Sequence, residues 1–246
     1  MSAAPNALRT GLSIRTSAAG MAHRLWRVWL HLRFRLVQRG RHDALVVEEV
    51  AGLPILVLPG VFNPKLFWTG EFLAQLLDER LVPPGAAVLD LGTGTGVGAL
   101  AACRWAGRVV AVDINPAAQR CSRINVLLNG MEDRVEVRGG DLFEPVAGER
   151  FDVVLLNPPY HPGRPRDALD QAFRAVDLAE RFAGGLAAHL RPAGYALVLL
   201  SSVGDDLGFL DAFRTAGLVA EPVAEQRRVG ELLTVYRVAP GASPRC

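Results

Sequence analysis

From Ala86 to Leu200 the chain alternates short apolar runs with amphipathic ones, and that alternation admits few folds. The apolar runs read as strands over Ala86–Leu91, Val109–Asp113, Val135–Arg138, Phe151–Leu156 and Tyr195–Leu200. Helical periodicity falls between them, near Val97–Ala106, Pro116–Asn129 and Asp167–Leu190. Strand followed by helix, repeated, predicts an α/β fold with a mostly parallel sheet and helices on both faces. A further helix over Asp206–Ala216 leads into Leu218–Val223 and Glu231–Val238. Those last two strands follow each other through a turn, so they are expected to complete a seven-stranded sheet as an antiparallel hairpin at one edge.

Upstream, Ala44–Val50 and Leu53–Leu58 flank Ala51-Gly52 and read as another hairpin. Thr69–Leu81 reads as a helix with Phe72, Leu73, Leu76 and Leu77 on one face, ended by Pro83-Pro84-Gly85. The expected organisation is therefore a basic tail and amphipathic helix over residues 1–42, a hairpin and entry helix over 43–85, and the main domain over 86–246. With 246 residues, half of them hydrophobic, one core plus an appendage can be buried.

Charge separates the first segment from the rest. Eight of the 27 cationic residues and none of the 25 acids lie in residues 1–42, so the remainder holds 19 cations against 25 acids, a net −6. A body of that sign is a poor grip for a phosphate backbone unless the arm supplies the contacts. Residues 1–20 are small and polar and are expected to be disordered. Met21–Gln38 is expected to be helical, with Arg24, Arg27, His31, Arg35 and Gln38 in one polar stripe. Mid-helix arginines, each costing roughly 2.5–3.5 kcal/mol in a bilayer, exclude a membrane span. Two readings remain for this helix: its apolar face packs on the body, or it meets a membrane surface or an acidic partner. Cys103, Cys121 and Cys246 fit no metal or disulfide spacing, which points to reduced thiols, a cytoplasmic location (peripheral to a membrane if the helix binds one) and no metal.

Val88-Leu89-Asp90-Leu91-Gly92-Thr93-Gly94-Thr95-Gly96 is a strand running into a glycine turn. Such a turn lets the backbone approach a ligand and brings the next helix close to the sheet. Gly94, Gly96 and Ala99 also satisfy the dinucleotide fingerprint, so the glycines alone leave the ligand open. Asp90 narrows the choice. A carboxylate on the strand before the turn disfavours a pyrophosphate and suits a ligand carrying an ammonium group. Asp113, with Ile114 beside it, ends the next strand, where an acid accepts from ribose hydroxyls.

Asn157-Pro158-Pro159-Tyr160 follows the strand Phe151–Leu156. Two prolines remove two backbone donors and stiffen the turn. An amide oxygen and a bare carbonyl can take the two hydrogens of a flat amino group, on which the Tyr160 ring can stack. Its delocalised lone pair makes such a nitrogen a weak nucleophile, and geometry supplies much of what it lacks.

Taken together, these motifs over about residues 60–240 resemble the S-adenosylmethionine-dependent methyltransferases with a Rossmann-like sheet. The resemblance implies that Gly92, Thr93, Gly94 and Gly96 hold the methionine part of S-adenosyl-L-methionine and Asp113 its ribose. It also implies that Asp141 and Leu142 flank adenine, that Thr69 lies near the cofactor, and that Asn157, Pro158, Pro159 and Tyr160 hold the methyl acceptor.

Asn157–Tyr160 and the C-terminal run Glu225–Val235 look like the HemK-type glutamine methyltransferases, which modify translation release factors. Those bacterial enzymes carry a larger N-terminal helical domain, and their loop after the motif is longer. The group resembling the methyltransferase small domain, which modifies exocyclic amines of guanine or adenine in ribosomal or transfer RNA, shares Asn157–His161. The expected partner is thus a protein glutamine, with structured RNA as the alternative and a non-catalytic cofactor-binding module as a third. His161 and the Arg164–Arg166 loop adjoin the site without a defined role.

Overall fold

The computed structural model describes residues 44–66, 68–159, 161–162, 174–175 and 177–241. The chain divides into two compact units, Met1–Arg39 and Gly40–Cys246, and the described residues all belong to the second. The expected tail and helix of residues 1–42, Tyr160 and the Arg164–Arg166 loop lie outside them, as does the side chain of His161.

The main sheet has seven strands. In chain order its strands are β3 (Ala87–Leu91), β4 (Arg108–Asp113), β5 (Val135–Gly139), β6 (Phe151–Leu156), β9 (Leu190–Ser201), β10 (Leu218–Arg228) and β11 (Glu231–Pro240). Across the sheet they run β10-β11-β9-β6-β3-β4-β5. The pairs β9/β6, β6/β3, β3/β4 and β4/β5 are parallel, while β11 is antiparallel to both β9 and β10. This is the mixed sheet with a C-terminal antiparallel hairpin that the sequence predicts. Outside it lie the hairpin β1 (Val46–Val50) and β2 (Leu53–Val57), and a two-residue parallel pair, β7 (His161–Pro162) with β8 (Arg174–Ala175).

Alternation along the strands divides the core between the two faces. Val88, Val109, Val153, Leu155, Leu197 and Leu199 face helices α1 (Thr69–Leu76) and α2 (Val97–Ala102) and the β1–β2 hairpin. Their neighbours Leu89, Val110, Val154, Leu156, Val198 and Leu200 face α4 (Leu178–His189) and α5 (Asp206–Thr215). Burying each such side chain contributes about 1.5–3 kcal/mol, which fixes strand register, because a one-residue slip would exchange the two faces.

Helix α3 (Pro116–Leu128) starts as its sequence dictates: Asn115 Oδ1 accepts from the Ala117 amide at 2.9 Å, and Pro116 needs no donor there. Its buried Asn125 fastens the hairpin. The side chain donates to Leu56 O and accepts from Leu56 N, both at 2.7 Å, and donates to Thr95 O at 2.8 Å. The hairpin turn, Ala51 at φ 52° and Gly52 at φ 74°, has the left-handed pair that a two-residue connection requires.

Several elements differ from expectation: α2 ends at Ala102 rather than Ala106, α4 starts at Leu178 rather than Asp167, with Arg174–Ala175 in β8 instead, and β10 runs to Arg228 rather than Val223. Helix α1 ends at Leu76 rather than Leu81, because Asp78 Oδ1 takes the amides of Arg80 and Leu81 and forms a turn that competes with the helix. Strand β9 starts at Leu190 rather than Tyr195, since Leu190 pairs with Phe151 ahead of a break in register. No helix among the described residues is long and apolar enough to cross a membrane.

Candidate active site

Strand order places the site. The chain begins the parallel sheet at β3, moves outward through β4 and β5, then returns to β6 on the other side of β3. Where the order reverses, the carboxyl ends of neighbouring strands part and leave a crevice. A cavity of about 430 Å³ opens there, within the range of small-molecule sites.

At one end the cavity is polar. Asp90, on β3, is 5% exposed. Its Oδ2 accepts from Thr93 Oγ1 at 2.6 Å and from the Ala99 amide at 2.9 Å. Burial pushes its pKa up to about 6, against the opposing pull of those two donors. Asp113, at the end of β4, accepts from the Gly94 amide at 2.8 Å through Oδ2 and from the Asn115 amide at 2.9 Å through Oδ1. Burial raises its pKa as well, with the backbone donors opposing. Both acids line the cavity with Gly92, Thr93 and Gly94. Gly92 (φ 66°) and Gly94 (φ 56°) have left-handed backbones, and a Cβ added at Gly92 would meet nothing within 4 Å. Open space over bare backbone, flanked by two carboxylates, fits a ligand with an ammonium group and a ribose, and so fits S-adenosylmethionine.

Further along, Ile114, Asp141 and Leu142 line the cavity as well. Arg181 from α4 reaches Asp141 Oδ2 at 2.6 Å, closing this side. Leu142 (φ 47°) and Asp177 (φ 53°) on the lining, and Trp68 (φ 60°) beside Thr69, hold left-handed backbones that cost side-chain-bearing residues roughly 1–3 kcal/mol each. Such strain persists where surrounding structure over-determines the backbone, as at ligand sites.

Asn157, Pro158 and Pro159, delivered by β6, line the cavity too, where β6 and β3 end side by side at Leu156 and Leu91. Asn157 Nδ2 donates to Thr69 Oγ1 at 3.3 Å. The tip of the β10–β11 hairpin also reaches the entry helix: the Arg228 guanidinium sits 4.5 Å from the centre of the Trp68 ring.

The structure thus gathers Asp90, Gly92, Thr93, Gly94, Asp113, Ile114, Asp141, Leu142, Asn157, Pro158 and Pro159 around one cavity. Thr69 and Gly96, both expected on the cofactor, do not line it. Thr69 is 1% exposed beneath Asn157. Gly96 begins α2 against α3, where an added Cβ would come within 2.6 Å of Ser122 Oγ. Several lining residues carry no sequence signal that marks them: Val61, Phe62, Asp177, Leu178 and Arg181. Pro64, which also lines the cavity, lies on the approach to the entry helix. Among the described residues no group of three His, Cys, Asp or Glu is arranged to hold a metal ion.

A seven-stranded sheet of this order, with an acid on its first strand, a glycine turn and an acid ending its second, defines the S-adenosylmethionine-dependent methyltransferases. Residues 52–204 match the Methyltransferase small domain model, and the chain belongs to that family. It is 32% identical over 206 residues to the release factor glutamine methyltransferase of Cereibacter sphaeroides, covering 73% of this chain and 70% of that protein. It is 31% identical over 164 residues to the ribosomal RNA small subunit methyltransferase C of Alcanivorax borkumensis, covering 65% of this chain and 47% of that protein. Among solved structures, the T. thermophilus 16S rRNA N2 G1207 methyltransferase in complex with AdoMet and guanosine superposes with a TM-score of 0.58 at 24% identity. That superposition covers 79% of this chain and 50% of that one, and it speaks to the fold.

Proposed function

We propose that this enzyme methylates the side-chain amide of a glutamine in a protein, of the kind presented by a translation release factor. The observation that carries the reading is Asn157-Pro158-Pro159 at the carboxyl end of β6, on the same cavity as Asp90 and Asp113. An acceptor held by Asn157 and a cofactor held by the two acids would meet within one cavity. The similarity to a release factor glutamine methyltransferase over 73% of this chain supports the substrate class. So does charge: residues 43–246 hold 19 cations against 25 acids, and Asp205 and Asp206 border the far side of Pro158 and Pro159. Acidic surface at the acceptor end repels a phosphate backbone more than a polypeptide.

In this reading Asp90 takes the cofactor's ammonium group, Asp113 the ribose hydroxyls, and Asp141 and Leu142 the adenine. The cofactor, when bound, supplies a methyl group made electrophilic by a positively charged sulfur. The chain supplies position. Asn157 Oδ1 and the Pro158 carbonyl accept the two hydrogens of the glutamine amide nitrogen, so its lone pair is held on the line of transfer. Fixing two reactants in this way accounts for much of the rate in reactions of this type. With the cofactor bound, the amide nitrogen would gain the methyl carbon as the carbon–sulfur bond breaks to leave a neutral thioether, and would then lose one of its two hydrogens to water. Tyr160, outside the described residues, is assigned the face of the amide on sequence grounds. Two buried thiols, Cys103 and Cys121, fit a cytoplasmic enzyme.

The second reading, an exocyclic amine of a nucleobase in RNA, presents the same pair of hydrogens on a flat nitrogen. It draws on the match to the ribosomal RNA methyltransferase and on the eight arginines of residues 1–42. Incubating the full-length protein with tritiated S-adenosylmethionine and cell extract, then separating protein from RNA, discriminates the two. Label in a protein band is expected; label confined to RNA would transfer the assignment to the second reading.

A further inference from the structure

The acceptor clamp depends on which way one amide faces. An asparagine side chain has two ends of nearly equal size and opposite hydrogen-bonding character. Only its oxygen can accept the hydrogens of an acceptor nitrogen; turned over, it would set N–H against N–H. The amide must therefore be held in place with its oxygen toward the acceptor.

We propose that Thr69 is the positioning residue that anchors this amide, a role that rests on Asn157 being the acceptor clamp. Its Oγ1 lies 3.3 Å from Asn157 Nδ2, the end that must face away from the acceptor, and the contact joins residues 88 apart in sequence. Thr69 is 1% exposed and absent from the cavity wall, so its hydroxyl acts behind the asparagine and not on the ligand.

The backbone that carries the hydroxyl is fixed by a chain of contacts that begins far from the site. Asn63 Oδ1 accepts from the amides of Lys65 at 2.9 Å and Leu66 at 3.2 Å, coiling the approach to α1. Asn63 Nδ2 donates to Glu48 Oε1 at 3.3 Å, and Lys65 Nζ donates to Glu49 O at 2.8 Å, tying that approach to β1. Trp68, at φ 60°, turns the backbone sharply, and Phe72 N donates to Trp68 O at 2.8 Å to begin the helix. Gly70 follows with its Cα against Pro64, where an added Cβ would approach Pro64 Cβ to 2.7 Å. Through Asn125 the hairpin is in turn fastened to α3 and to the carbonyl of Thr95 in the glycine turn. Segment 46–69 is thus a bracket whose far end is a single hydroxyl, and removing that hydroxyl leaves the bracket standing.

The test compares Thr69→Val, which keeps the shape and loses the hydroxyl, with Thr69→Ser, which keeps the hydroxyl. Purified release factor serves as acceptor for kcat, and titration calorimetry with S-adenosylhomocysteine reads cofactor affinity. In ¹⁵N-labelled protein, the Asn157 side-chain NH₂ pair is assigned by its disappearance in Asn157→Asp. Thr69→Val is expected to lower kcat about five- to tenfold, the loss of one oriented hydrogen bond, with cofactor affinity unchanged. Thr69→Ser should restore kcat to within about threefold of wild type. The Asn157 pair should be shifted and protected from exchange in wild type and Thr69→Ser, and lose both properties in Thr69→Val. An unchanged kcat or an unchanged Asn157 signal in Thr69→Val would overturn the proposal, as would equal losses in both variants. Should Thr69→Val fail to fold, Thr69→Ala is read by the same criteria. A wild-type protein that methylates no release factor would count against the substrate reading, and the Asn157 signals would then decide the role of Thr69.

Discussion

The residues we assign to the cofactor and those we assign to the acceptor are held in the cavity by different means. At the cofactor end each acid is held by residues close in sequence or on the adjoining turn: Asp90 by Thr93 and Ala99, Asp113 by Asn115 and Gly94. At the acceptor end Asn157 is held by Thr69, from an element that precedes the whole parallel sheet. A cofactor pocket whose two central acids are held by near neighbours and the adjoining turn can be carried intact from protein to protein. An acceptor pocket assembled from distant segments can change its substrate by changing those segments, while the cofactor end stays as it is. The difference also predicts that the two ends fail separately.

Asn157→Ala should give the largest effect, a loss of at least about 100-fold in kcat with cofactor affinity nearly unchanged, since it removes an acceptor contact and leaves both acids in place. Equilibrium binding of S-adenosylhomocysteine beside single-turnover labelling checks this, and a comparable loss of cofactor affinity would join the two ends that we separate. Asp113→Ala should do the reverse. It removes the ribose acceptor and releases the Gly94 amide, so cofactor Kd should rise about ten- to 100-fold while kcat at saturation changes little.

Asp90 sharpens the comparison through pH. With its folded pKa at about 6 and its ordinary value at 3.8, the folded protein holds a proton in that window which the unfolded chain would release. The stabilising contribution of this proton is fully present below 3.8 and is lost as pH rises through about 6. Asp90→Asn should therefore melt higher than wild type at pH 8, by roughly 1–3 kcal/mol, with the two converging only below about pH 4. An ammonium ligand needs the charged form, so cofactor affinity should weaken about tenfold from pH 7.5 to pH 5 in wild type and stay flat in the variant. A pH-independent wild type would show that Asp90 does not meet a cation. The smallest effect is expected for Arg181→Ala. Its bridge to Asp141 is 42% exposed on the arginine side, so cofactor Kd should rise only two- to fourfold by the same calorimetry.

What could be read from the sequence follows the same division. Phe151–Leu156 needed nothing beyond its apolar run to be a strand, and Asp90, Gly92 and Asp113 lie within motifs whose members adjoin in the chain. Sequence order at the end of β5 likewise indicated Asp141, but not Arg181, whose partner is 40 residues away. Thr69 was expected near the cofactor, and its contact with Asn157, 88 residues away in the chain, is one that no local pattern shows. The early end of α1 turned on Asp78 preferring the amides of Arg80 and Leu81, a local contest that helical periodicity does not register.

The acceptor end is the part that makes this enzyme what it is, and one measurement addresses it most directly. Purified release factor, incubated with the full-length protein and S-adenosylmethionine, is digested and its peptides are weighed and sequenced by mass spectrometry. A single added methyl group on a glutamine side chain, absent with Asn157→Ala, is the predicted result. An unmodified release factor beside methylated ribosomal or transfer RNA from the same extract would contradict it.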